Sequence, residues 1–334
     1  MMKKHGLNFA VLIFFMINFG VNSVNAETLI TDRVFSKSSF WYSEIPDEVK
    51  LHENSKAFVA EFLKQKSEYY GTVNVNTKAY ASPVYYVDES VPVTRVAEWN
   101  CQKKKTSDIS LAKQWSDVPI PLYALPSDGT DGEMSIYQQS TDTLWEFWKA
   151  RKVDGLWQAC WGGKISNASQ NDGAFNKYYG TTATSLPFIG GQITAEELQR
   201  GEIRHVIGIA LVELEDRKFF SWPAHRSDGK NPNNLPNRIP EGLRFRLDPK
   251  VDVDNLKLHP IGKIIAKAAQ KYGFVVWDKA GAISIRAQNP YSYTTLGKAN
   301  PYEQLFSGTK AYAILNGFPW DRLQFLPMNY GKPD

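Results

Sequence analysis

The stretch TLWEFWKARKVDGLWQACW, residues 143–161, holds four of the ten tryptophans of the chain, namely Trp145, Trp148, Trp157 and Trp161. β-Branched and aromatic residues dominate Thr143–Arg151 and Leu156–Trp161, and Asp154-Gly155 between them is a turn signal. The pattern predicts two strands joined by a turn. So dense a group of rings on alternating strand faces indicates that some of them line a groove, where flat apolar surface suits sugar rings.

Short runs of similar composition lie on both sides of this stretch, at residues 72–75, 84–87, 93–98, 133–138 and 204–214. Apolar spacing predicts helices over 54–70 and 260–273, and a hairpin is expected to join 274–277 to 282–286. Strands outnumber helices and mostly form hairpins. We therefore expect a mainly β fold, an antiparallel β-sandwich of jelly-roll type with a few peripheral α-helices.

The first 26 residues predict a cleaved export signal. A basic start at residues 3–5 precedes the apolar stretch 9–19 and the small residues of Val24-Asn25-Ala26. The alternative is a membrane anchor, but the stretch is short for a span and contains Asn18. No linker or repeat divides residues 27–334, so we expect them to form a single β-rich domain. After removal of the export signal this domain is expected to be secreted or periplasmic and not inserted in the membrane.

Charge argues against nucleic acid and anionic membranes as partners. The chain has 39 Lys and Arg against 35 Asp and Glu, and the export signal carries two of the lysines and no acid. The remaining net charge of +2 supplies no field for polyanions.

Cysteine usage predicts a disulfide. Cys101 and Cys160 both lie in the exported part, where thiols are oxidised by default. A zinc site is disfavoured because the histidines are scattered and no paired ligand spacing occurs. We expect neither a metal nor a cofactor.

Several strings recur together in one family. They are FSKSSFW (35–41), GTDGEM (129–134), DTLWEFW (142–148), WGG (161–163), TATSLP (182–187), WPAHRSDG (222–229) and IPEGLRFRLDP (239–249). In combination they resemble a family of uncharacterised exported bacterial proteins. The resemblance implies one contiguous domain and transfers no activity. The family pattern often has histidine in place of Glu133, so Glu133 is not required by it.

A carboxylate pair is the first candidate for catalysis. If residue 138 faces residue 143 in a hairpin, Ser135 faces Glu146 and Glu133 faces Trp148, which places both acids on one face. Diagonal neighbours of this kind suit the two carboxylates of a glycosidase. The alternative is that Glu133 caps a turn and Glu146 lies on a solvated face, and a one-residue slip would separate them.

A second candidate cluster lies in the loop 223–229. His225, Arg226 and Asp228 follow one another there, and Arg226 could bind a carboxylate or sugar hydroxyls in a bidentate manner. The alternative is an exposed Asp-Gly turn. His205 lies within an apolar run, where it is either a general base or a core histidine with a satisfied partner.

These residues predict an exported carbohydrate-active protein that binds a polysaccharide or oligosaccharide and cleaves it. As a glycoside hydrolase it would use Glu133 and Glu146 as acid and base or nucleophile, with Asp228 as a further catalytic candidate and Trp148 and Trp161 as stacking platforms. As a polysaccharide lyase it would use His205 or a tyrosine as base and Arg226 to neutralise a uronate. Non-catalytic glycan binding or a structural role in the envelope is the alternative.

Overall fold

The computed structural model describes residues 33–176 and 178–333. The predicted export signal lies outside these residues and stays a prediction. Seven α-helices occur in the described part: α1 (Ser55–Glu68), α2 (Ile109–Gln114), α3 (Phe188–Gly191), α4 (Ala195–Arg200), α5 (Pro260–Lys271), α6 (Tyr291–Thr294) and α7 (Pro301–Leu305). The strands of this part are β1 (Asn74–Asn76), β2 (Val84–Val87), β3 (Val96–Glu98), β4 (Met134–Gln138), β5 (Thr143–Trp148), β6 (Arg151–Val153), β7 (Leu156–Ala159), β8 (Trp161–Ser166), β9 (Ile207–Leu211), β10 (Arg244–Leu247), β11 (Phe274–Lys279), β12 (Ser284–Arg286) and β13 (Leu323–Phe325).

The largest sheet has six strands in the order β1-β12-β9-β11-β10-β13. Strand β9 is buried at every position, and such a continuous apolar run takes a central place in a sheet. One face of the sheet packs against α1 and α5 around Phe62, Ile209, Ile265 and Phe274. Both helices were expected from their apolar spacing. The start of α5 is set by Pro260 and by the side chain of His259, which accepts a hydrogen bond from the Ile261 amide.

A second sheet has four strands in the order β2-β4-β5-β8, and a third has three in the order β3-β7-β6. Leu144 and Ile165 of the second sheet share a buried cluster with Val275 and Trp277 of the six-stranded sheet. The opposite face of the second sheet packs Phe147 against Trp115. The four-stranded sheet is therefore covered on both faces.

The mainly β composition is confirmed, but the expectation of purely antiparallel strands is wrong. The pairs β1/β12, β9/β11, β2/β4 and β3/β7 are parallel. A jelly roll contains no such pairs. The predicted hairpin of β11 and β12 is also wrong, because β9 lies between them and pairs with both. Their sequences contain no sign of this third strand, which comes from more than 60 residues upstream.

The tryptophan-rich stretch forms strands as predicted but divides between two sheets. Strands β6 and β7 form a hairpin through Asp154 and Gly155, both with positive φ. The predicted strand 143–151 breaks after Trp148, so β5 pairs with β8 and places Trp148 opposite Trp161. The hairpin of β4 and β5 has the predicted register, with Ser135 opposite Glu146.

The predicted disulfide is confirmed. Cys101 and Cys160 are bonded, with their Cα atoms 5.6 Å apart, and they join the loop after β3 to the residue that precedes β8. A disulfide is consistent with an oxidising compartment. Over the described residues, no helix has the length and apolar character needed to cross a bilayer.

Gly208 tests the packing of the central strand. A Cβ at Gly208 would lie 2.3 Å from the ring of Trp277, whereas one at Gly281 would meet nothing within 4 Å. We expect Gly208→Ala to lower the free energy of unfolding in urea by about 1–3 kcal/mol or more, because neither the ring nor the strand can move without loss of packing. Gly281→Ala is the control and should change it by no more than about 1 kcal/mol. Equal effects would contradict this packing.

Candidate functional site

One face of the six-stranded sheet is polar near its β1 edge. Asn74 pairs with Ser284 and Asn76 with Arg286, and paired residues share a face. The alternate residues Val75 and Ile285 lie on the opposite face, in the core against α1 and α5. Alternation along two short strands thus collects amide, hydroxyl and guanidinium groups on one side.

A β-bulge adds a carboxylate to this polar face. Val276 pairs with Ile209, but the next pair along the ladder is Asp278 with Ala210. The extra residue turns Asp278 to the side opposite Val276, which is the side of Ser284, the partner of Ala210 in β12. Asp278 and Arg286 therefore meet, and Arg286 Nη2 donates to Asp278 Oδ2 at 2.9 Å.

Arg286 also reaches the second sheet. Its Nη1 donates to Glu133 Oε1 at 3.3 Å, and its guanidinium carbon lies 4.4 Å from the ring centroid of Phe188. The arginine is 4% exposed. A buried cation with two carboxylates thus joins the six-stranded sheet to the residue that precedes β4.

A cleft of about 300 Å³ opens beside these groups. Five of the eight residues predicted to bind or process substrate line it: Glu133, Trp148, Trp161, Arg226 and Asp228. Asp278 and Lys279 line it as well. The cleft therefore brings together one predicted acid and the two tryptophans from the second sheet, two residues of the 223–229 loop, and two residues that the sequence did not single out.

The cleft carboxylates differ in environment. Burial raises the pKa of Asp278 to about 6, although Arg286 acts in the opposite direction, and the charge of Asp228 raises it further. Burial also raises the pKa of Glu133 against the effect of Arg286. Asp228 is exposed at the cleft, yet the protein around its carboxyl group partly desolvates it and raises its pKa.

Glu241 lies behind Asp228 and is completely buried. Its Oε2 accepts the Asp228 amide at 3.0 Å, and its Oε1 has no hydrogen-bond partner among the described residues. Burial raises the pKa of Glu241 to about 8, and the charge of Asp228 contributes in the same direction. Glu241 is thus mostly protonated at neutral pH.

Glu146 does not line the cleft. It is fully buried, and its carboxylate accepts hydrogen bonds from Thr181 Oγ1 at 2.7 Å, from Ser135 Oγ at 3.1 Å and from the amides of Phe188 and Ile189, each at 3.0 Å. These amides begin α3. The register that was predicted for Glu146 is present, but the group stabilises the segment that leads into α3, and its predicted catalytic role has no support from this geometry.

The two tryptophans differ in exposure. Trp148 is partly exposed in the cleft, while Trp161 is 9% exposed, with Tyr179 stacked at 5.7 Å and Lys104 Nζ 3.6 Å from its ring centroid. Lys104 belongs to the loop that Cys101 fixes, and Gln102 of this loop also lines the cleft. Trp148 also has a lysine over its ring, with Lys149 Nζ 4.8 Å from the centroid, but it is the more exposed of the two and therefore the better stacking platform.

The two candidate histidines lie outside the cleft lining. His205 contacts Glu197 at 3.3 Å and the Val206 carbonyl at 2.8 Å. Burial disfavours its charged form, but the Glu197 carboxylate outweighs this and raises the pKa of His205. His225 contacts the Phe175 carbonyl at 2.9 Å. His205 is thus the core histidine with a satisfied partner.

Arg226 lines the cleft but already has partners. Its Nη2 donates to the carbonyls of Thr182 at 2.7 Å and Gly180 at 3.1 Å. Arg226 therefore holds residues 180–182, which form part of the cleft wall, in place. No group of three or more His, Cys, Asp and Glu side chains in residues 33–176 and 178–333 is arranged to hold a metal ion.

Comparisons with protein-family models, with curated proteins and with solved structures found no match to the chain. The arguments on function therefore depend on the geometry of the cleft. Of the residues that sequence reasoning missed, Arg286 could have been found from the alternation in Ser284–Arg286. Asp278 could not, because its orientation depends on the bulge.

Glu146 offers a direct test of a structural role. We expect Glu146→Gln to lower the free energy of unfolding by about 1–3 kcal/mol, because an amide nitrogen cannot accept one of the buried backbone N–H groups. Urea unfolding measures this, with the exposed Glu89→Gln as control. If the stability is unchanged and a measured activity is lost, the result would instead support the predicted catalytic role of Glu146.

Glu241 predicts a pH dependence of stability. Its carboxyl ionises near 4.5 when unfolded and near 8 in the native state, so between these pH values only the native state keeps the proton. Stability attributable to Glu241 therefore falls as pH rises, by up to about 1.4 kcal/mol per pH unit. Urea unfolding of the wild type and of Glu241→Gln across this range should give a flatter profile for the variant. Parallel profiles would contradict the shifted pKa.

Proposed function

We propose that the chain is an exported glycan-cleaving enzyme, a glycoside hydrolase whose acid and base are Asp278 and Asp228. The observation that carries the proposal is the cleft itself, in which two carboxylates of unlike environment face one space beside the partly exposed ring of Trp148. Carboxyl groups with separated pKa values are the usual acid and base of glycoside hydrolysis. An aromatic ring beside them suits the apolar face of a sugar.

Asp278 is suited to the acid role. With a pKa of about 6 it remains largely protonated in mildly acidic solution, and it can donate this proton to the glycosidic oxygen as the bond to the anomeric carbon breaks. The carboxylate of Asp228 accepts a proton from a water molecule whose oxygen forms the new bond to that carbon. One water is consumed, and both carboxyl groups then exchange protons with solvent.

The surrounding groups hold Asp278 in position. The amides of Ala183 and Lys279 donate to Asp278 Oδ1 at 3.3 and 3.0 Å, and Arg286 donates to the other oxygen. Glu133, which the sequence proposed as a catalytic acid, instead shares Arg286 and accepts a hydrogen bond from Ser127. It acts as a positioning residue for the cation beside Asp278.

The charge of the cleft favours hydrolysis over elimination. Four acidic residues line it, Asp131, Glu133, Asp228 and Asp278, against the two cations Arg226 and Lys279. With Asp278 protonated and Glu133 paired to Arg286, Asp131 and Asp228 balance these two cations, so the cleft has no excess positive charge to bind a polyuronate, the substrate of a lyase. Nη2 of Arg226 donates to two backbone carbonyls, and His205 lies in the core. A neutral glycan fits these groups better.

Substitution of the two aspartates tests the proposal. Asp228→Asn and Asp278→Asn should each reduce release of reducing ends from a susceptible polysaccharide by about 10²–10⁴-fold while the affinity changes little. The exposed Asp117→Asn is the control. The rate of the wild type should fall as pH rises through about 6, as Asp278 loses its proton. Glycan binding without turnover by the wild type would indicate a binding module, and turnover retained by both variants would exclude this pair.

A further inference from the structure

A second cavity, of about 660 Å³, adjoins the cleft. Asp131, Asp228 and Lys279 line both. The two spaces therefore meet at the proposed base Asp228. The second cavity lies over the polar face of β1 and β12, whose Asn74, Asn76 and Ser284 contribute to its lining.

Two exposed tyrosines stand at this second cavity. Tyr70 is 81% exposed and Tyr80 is 39% exposed, and both line it. Neither ring stacks on another aromatic ring of the described residues. Large exposed rings beside amide and hydroxyl groups make a surface that offers both stacking and hydrogen bonds to a sugar.

The backbone at both tyrosines is unfavourable. Tyr70 has a φ of 69° and Tyr80 a φ of 59°, in the left-handed region that bulky residues avoid. Glycine would adopt either conformation at lower cost, as Gly71 does beside Tyr70. Both tyrosines thus carry a backbone cost that glycine would avoid, at a cavity that both residues line.

We propose that the cleft and the second cavity form one groove, in which a linear glycan runs from Trp148 past Asp228 to Tyr70 and Tyr80. This inference rests on the proposed function and deepens it. Because the carboxylates then lie between two binding regions, the chain is cut internally and not from its end. The preferred substrate is a long, neutral polysaccharide, and the tyrosines contribute only when the glycan reaches them.

The test uses Tyr70→Gly and Tyr80→Gly, which remove the rings while relieving the backbone. We expect both variants to be at least as stable as the wild type, to lose about tenfold in kcat/KM on long linear oligosaccharides of the degraded glycan, and to keep the wild-type value on the shortest cleaved one. Tyr312→Ala removes a similarly exposed ring elsewhere, and Asn234→Gly makes the same backbone change at φ 48°. Both controls should behave as the wild type at every length.

The outcomes separate the two proposals. If the wild type cleaves no glycan, the proposed function fails. If it cleaves glycans but both tyrosine variants retain full activity on long chains, or lose activity equally at all lengths, the groove proposal fails alone. Product analysis gives a second readout, since early release of fragments of intermediate length supports internal cleavage and release of one small product throughout overturns it.

Discussion

The site depends on the guanidinium of Arg286, which is buried between Asp278 of one sheet and Glu133 of another. Placing a cation and carboxylates in a desolvated space costs several kcal/mol, and the cost is recovered only where their positions are fixed. Here the strand β12, the bulge in β11 and the ring of Phe188 fix them. The same desolvation raises the pKa of Asp278, Glu133 and Asp228 above the ordinary value of a carboxyl group.

Glu146 connects the second sheet to the wall of the cleft. Through Thr181 and the amides of Phe188 and Ile189 it binds both ends of one segment to β5. Between those ends, the amide of Ala183 donates to Asp278. Glu146 thus holds in place the segment whose Ala183 amide binds the cleft carboxylate Asp278. Substitution of Glu146 or of Asp278 would therefore reduce a cleft activity. Measurements of stability distinguish loss of the supporting segment from loss of a catalytic group.

Sequence reasoning succeeded where the determinants are local. The Asp154-Gly155 hairpin, the register of β4 and β5, the two long helices and the disulfide follow from turn chemistry, alternation, caps and compartment. It failed where residues far apart decide. The parallel pairs require crossovers that leave no local signal, and the place of β9 between β11 and β12 follows from burial on both faces.

The candidate site was predictable to the same extent. Trp148 and Asp228 were found because an aromatic strand and a polar loop are visible in the sequence. Glu146 was assigned the wrong surroundings, because a carboxylate on a β-strand gives no indication of whether amides or water will face it. Asp278 was placed in a turn, since a single extra residue in β11 decides which side of the sheet it faces.

The bond between Cys101 and Cys160 has a practical consequence for the cleft. It anchors the loop in which Lys104 packs over the ring of Trp161 and Gln102 lines the cleft. Protein expressed in a reducing cytoplasm would lack this disulfide, and only non-covalent contacts would hold the loop. The indole ring of Trp161 would then be less well covered and could bind other hydrophobic surfaces nonspecifically. Recombinant material intended for ligand screening should therefore be oxidised before its affinity is compared between preparations.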